Sequence, residues 1–134
     1  MDTLGLLLLV VVHSAAVQDR DGAKLVLRQL GERFRKRLRV VFADAAYAAV
    51  VDWCWWIVRR WRKVQLVIVS KKENQQGFQV LPKRWIVERT FGWLGRWRRL
   101  TRDYEYLPES SEALIRIAMI GLMLRRLAPV PARR

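Results

Sequence analysis

The sequence predicts an α/β fold on three observations. Three short apolar runs, Leu6–His13, Leu38–Ala43 and Val64–Val69, have the length of strands and are too short for buried helices. Each is followed by a stretch with helical spacing, which gives the order strand–helix three times over. The chain is 134 residues long and 52% apolar, enough for one ordinary core and too apolar for generic disorder.

Asp2-Thr3-Leu4-Gly5 reads as a tight turn. Leu6–His13 then reads as a strand buried on both faces. The apolar run around it, Leu4–Val12, is too short to span a bilayer. Small residues follow it as in a secretory leader, but no Lys or Arg precedes it, and a strand is the preferred reading. Asp21 is a candidate cap for a helix from Gly22 to Arg37, with Leu25, Leu27, Leu30 and Phe34 as its apolar side.

The second strand, Leu38–Ala43, ends at Asp44, and a helix rich in Ala and Trp is expected from Ala45 to Arg60. The third strand is followed by a polar connector, 71–77. Pro82 is placed to open a helix that runs to Leu100. After a loop from Tyr104 to Ser111, Ser110 or Ser111 is expected to cap a last helix to Leu127. Its apolar stripe is Leu114, Ile117, Ala118, Ile120, Leu122, Met123 and Leu124. Residues 1–128 are expected to form one domain, with 129–134 a disordered basic tail.

Lys and Arg number 26 against 12 Asp and Glu, a net charge of +14. Such an excess repels itself in a compact protein, and a polyanion relieves the repulsion. Nucleic acid is therefore the expected partner. The basic residues cluster at Arg33–Arg39, at Arg59–Lys63 and from Lys83 to Arg102. In the third cluster they interleave with Trp85, Phe91, Trp93 and Trp97. Such aromatics can stack on bases, but the plainer expectation is an aromatic face turned inward and a solvated Arg face. One cysteine, Cys54, and one histidine, His13, exclude an intrachain disulfide and a Cys/His zinc site within one chain.

Two carboxylates stand out. Asp44 closes the apolar run Val40-Val41-Phe42-Ala43, and ligands of open α/β sheets bind at the carboxyl ends of strands. Asp44 is equally suited to cap the helix after it. Glu88 shares a helical face with Arg84, where a plain ion pair is the simplest role. Together they are hard oxygen donors suited to Mg²⁺ or Mn²⁺. Two-metal phosphoryl transfer normally needs a third carboxylate. Asp2, Asp19, Asp21 and Asp52 are present, but none ends a core strand in this reading.

Three stretches, DTLGLLLLVVVHSAAVQDRDGA, VFADAAY and LPKRWIVERTFGWLGRWRRL continuing through TRDYEYLPESSEALIRIAMIGLMLRRLA, resemble the catalytic core of bacterial insertion-sequence transposases of the DDE type, in the IS-four/IS-five-like group. The resemblance implies a ribonuclease-H-like fold and DNA cleavage and joining with two Mg²⁺ ions, or Mn²⁺, held by Asp, Asp and Glu. By motif, Asp44 corresponds to the second aspartate and Glu88 to the glutamate, as catalytic and metal-binding residues. Arg84 corresponds to an arginine that contacts DNA phosphate, and Arg89, Arg96, Arg98 and Arg99 are expected to join it on DNA. Leu81 and Gly95 replace a Tyr and a Lys of the family pattern.

Asp2 matches the turn aspartate of these proteins and not their first catalytic one. The fold is therefore expected to be incomplete: about three strands with flanking helices, the first two strands and the N-terminal DNA-binding region missing. The isolated chain is expected to be inactive, a remnant or one half of a frame whose upstream half is supplied in trans or by frameshifting. The implied partners are transposon-end and target DNA and a second copy in a homodimer, in the bacterial cytoplasm at the nucleoid, with no membrane. The competing expectations are a non-catalytic basic DNA-binding protein and a structural partner that completes its sheet with another chain.

Overall fold

The computed structural model describes residues 1–34, 36–50, 64–69 and 83–128. The chain forms two compact units, Met1–Val12 with Ile86–Arg134, and His13–Trp85.

The His13–Trp85 unit holds helix α1 (Asp19–Phe34), strand β1 (Val40–Asp44), a 3₁₀ helix η1 (Ala45–Val50) and strand β2 (Gln65–Val69). The two strands are parallel, with Val40 opposite Gln65 and Asp44 opposite Val69. They match the second and third apolar runs, with β1 shifted to include Asp44. Their β-branched residues suit a pleated surface. Both strands alternate: Val40, Phe42 and Val67 face outward, while Val41, Ala43, Leu66 and Ile68 are half-buried.

Helix α1 begins three residues before the expected start. The amides of Asp21 and Gly22 bond to the Gln18 carbonyl, so Asp21 lies inside the first turn and does not cap it. Its carboxylate instead pairs with Lys24 at 2.7 Å. Leu27 is buried and Leu30 and Phe34 are half-buried, but Leu25 is 41% exposed. Gly22 and Gly31 are buried as well. A Cβ at Gly22 would lie 2.4 Å from Nε2 of His13, so this glycine makes room for the imidazole. The helix expected after Asp44 starts as 3₁₀. Its continuation to Arg60, the connector 71–77, Pro82 and the tail 129–134 lie outside the described residues.

The other unit is built on helix α2 (Arg84–Leu94), of which it holds Ile86 onward, a 3₁₀ turn η2 (Arg98–Leu100) and helix α3 (Pro108–Leu127). Its core is Ile86, Thr90, Ala118 and Met119. The expected single helix to Leu100 stops at Leu94. Gly92 and Gly95 both fall where it ends, and glycine costs a helix about 1 kcal/mol relative to Ala. The chain then tightens, with the Arg96 amide on the Trp93 carbonyl and the Trp97 amide on the Leu94 carbonyl. Helix α3 starts earlier than expected. Leu107 holds the cap position without a side-chain bond and Pro108 opens the helix, so Ser110 and Ser111 lie inside it. Its buried side is Ala118 and Met119. Ile117, Ile120 and Leu124, expected to be inward, are more than half exposed. Gly121 lets α3 approach Trp97, whose ring a Cβ there would meet at 3.0 Å.

The turn at the chain start is as read. Asp2 Oδ1 accepts the amides of Leu4 and Leu6, at 2.9 and 2.8 Å, and Gly5 adopts φ 79°. Leu6–His13, however, is not a strand. It joins no ladder with any described residue and is half-buried throughout. A strand is stable only with a lateral partner for its amides, and here the Val12 amide bonds to Glu112 Oε1 of α3 instead, at 3.1 Å. Among the described residues the sheet therefore has two strands where the sequence suggests three.

Candidate nucleic-acid interface and acidic residues

Asp44 ends β1 at the carboxyl edge of the parallel pair, where α/β sheets place ligands. It is exposed, and its Oδ1 accepts the amide of Ala45, which starts η1. The carboxylate thus serves the local turn while keeping its other oxygen available. In the other unit, Glu88 lies on the outward side of α2, on the face that also carries Phe91. Ile86 and Thr90 turn inward in this unit and Glu88 does not. Arg84, one turn earlier, is likewise exposed.

Thr90, 1% exposed, fixes α2 to the N-terminal turn. Its hydroxyl lies 2.8 Å from the Gly5 carbonyl and 2.9 Å from that of Ile86, and it donates one proton between them. Arg89 donates from Nη2 to the Leu4 carbonyl at 2.8 Å. Two residues directly after Glu88 therefore seat the turn made by Asp2. Sequence reading missed Thr90, whose partner Gly5 lies far along the chain.

The expected aromatic face is split. Trp85 and Phe91 are 48% and 64% exposed, while Trp93 and Trp97 are half-buried. Helical geometry explains this, since Phe91 lies about 100° or more around the helix from each of Ile86, Thr90 and Trp93. Arg89 and Arg126 converge on Trp93, their guanidinium carbons 4.7 and 4.5 Å from the ring centroid. Arg96 and Arg125 border a cleft of about 60 Å³ walled by Trp93, Trp97, Met119 and Leu122. Arg98 is exposed on η2, and Arg99 pairs with Glu105 at 2.8 Å. Of the five arginines expected on DNA, the structure groups Arg89 and Arg96 around one indole. It adds Arg125 and Arg126, which the sequence signals only as a basic pair in the last turn of a helix.

Among the described residues, no three of His, Cys, Asp and Glu come together as a metal site. Asp44 and Glu88 have the donor chemistry for a divalent ion but do not make up a complete ligand set. No described helix is long and apolar enough to cross a membrane.

The family described as Transposase DDE domain matches residues 1–123, nearly the whole chain. The chain belongs to the DDE transposase family. Comparison with curated proteins and with solved structures found no match to either. DNA transposition is the family's function, and divalent metal ions are its usual cofactors. The small parallel sheet and flanking helices of this transposase are compatible with the ribonuclease-H-like fold that the family implies.

Proposed function

We propose that this transposase chain contributes two acidic residues and a basic face to metal-dependent cleavage and transfer of DNA strands. Asp44 and Glu88 are the ligands for Mg²⁺ or Mn²⁺, and Arg84, Arg89, Arg96, Arg98 and Arg99 bear on DNA phosphate. The observation that carries this is the family match, which spans both carboxylates and the basic helix between residues 84 and 94. It favours catalysis over a non-catalytic basic DNA-binding protein. The motif pattern supports the IS-four/IS-five-like group, and transposon-end and target DNA in the bacterial nucleoid are the corresponding partners.

When bound, the metal lowers the pKa of an attacking water or hydroxyl and stabilises the leaving oxygen. The chain's own residues hold and orient. Asp44 projects from a strand end and Glu88 from the outward side of α2, while arginine forks neutralise phosphate charge as the strand approaches. Two-metal phosphoryl transfer takes a third carboxylate beside these two. The assembled enzyme is a homodimer.

The test is strand cleavage of a transposon-end duplex with and without Mg²⁺. Cleavage is expected only with the metal. Asp44→Asn and Glu88→Gln are each expected to lower the rate by at least about a hundredfold. Full activity in either variant would overturn the assignment.

A further inference from the structure

We propose that Trp93, with Arg89 and Arg126 stacked on it and Arg96 and Arg125 beside it, is a clamp for successive phosphates of a nucleic-acid strand. The proposal rests on the reading that this transposase holds DNA by its basic face, and extends it to the end of α3. Two cations share one ring, at 4.7 and 4.5 Å from its centroid. Their separation is at most about 9 Å, comparable with the screening length of about 8 Å at physiological salt. Phosphates of one strand rise roughly 3.4 Å each along the duplex axis, so this separation is on the scale of neighbouring phosphates.

The indole attracts each guanidinium by cation–π interaction. A pre-placed guanidinium loses less freedom when its N–H groups bond a phosphate. Arg125 and Arg126 gather charge at one end of α3. The acids of α3, Glu109 and Glu112, lie in its first turns, and Glu112 is bound by Arg116. Arg125 and Arg126 stand in its last turn, some 20 Å or more away along the axis. There they also face the partial negative charge of the helix C-terminus, which steadies them without cancelling them. Arg96, Arg125 and Arg126 are exposed, and the cleft beside Trp93 opens between Arg96 and Arg125.

The experiment is fluorescence anisotropy of a labelled duplex against salt in EDTA, so that no metal chemistry enters. The logarithmic salt slope is expected to become shallower by about 0.9 in Arg126→Gln and in Arg125→Gln. Arg28→Gln, an equal loss of charge on α1 outside the basic clusters, is expected to leave the slope as in the unaltered chain. Trp93→Leu removes no charge, yet is expected to weaken binding roughly three- to tenfold, with Trp93→Tyr restoring most of it. Circular dichroism checks folding, and if Trp93→Leu does not fold the two arginine variants carry the test. Slopes unchanged in both arginine variants, or equally reduced in Arg28→Gln, overturn the clamp while leaving the basic-face reading intact. Absence of salt-dependent binding by the unaltered chain overturns both.

Discussion

Thr90 and Gly5 form a matched pair. The left-handed φ of 79° admits glycine readily, and a Cβ there would come within 2.7 Å of Thr90 Oγ1. Gly5→Ala is therefore expected to lower unfolding stability by about 1–3 kcal/mol, from backbone strain and the clash together. Thr90→Val keeps the shape but strands the Gly5 carbonyl, with an expected loss of about 1–3 kcal/mol, whereas Thr90→Ser stays close to the unaltered chain. Urea denaturation of the three variants measures both effects. At this scale the sequence was partly readable. Asp2 closing a turn and Asp44 ending a strand follow from local chemistry that neighbouring residues announce. Thr90 and Arg126 act on residues far along the chain, and no local pattern announces such a partner.

Helix ends were harder to read than helices. The amphipathic spacing located α1, α2 and α3, because inward residues recur every three or four positions. Their limits moved because backbone bonds compete at the ends: Pro108 outweighed the serines after it, and α2 stops at Leu94, between Gly92 and Gly95, short of Leu100. The apolar run Leu6–His13 shows a different limit. Hydropathy gives the tendency to be covered, but not whether another strand's amides or a glutamate side chain supplies the bonds. Two helical glycines separate these causes. A methyl group added at Gly92 would meet nothing within 4 Å, so Gly92→Ala is expected to stabilise α2 by about 0.5–1 kcal/mol. Gly121 abuts Trp97, so Gly121→Ala is expected to gain less or to destabilise. Thermal melts of the two variants compare them directly.

Across the whole molecule, the charge of +14 was the clearest signal, and it bears on stability as well as on binding. Crowding like charges into a folded chain opposes folding, and salt screens that repulsion. The melting temperature is expected to rise between low salt and physiological salt. It should rise further with a polyanion such as heparin, which binds the folded basic face. A melting temperature that falls over this range would show that ion pairs, such as Arg99 with Glu105, outweigh the net repulsion.

The parallel pairing of β1 with β2 also fixes the order in which parts of this transposase come into place. Parallel neighbours cannot be joined by a tight hairpin, so the chain must travel away and return before Val69 can sit beside Asp44. Closing that excursion costs entropy before any ladder bond rewards it, whereas a turn of α1 needs only its own neighbours. The carboxylate at position 44 is consequently among the late arrivals as this unit folds: its helical surroundings can form early, and its perch waits for the slowest closure.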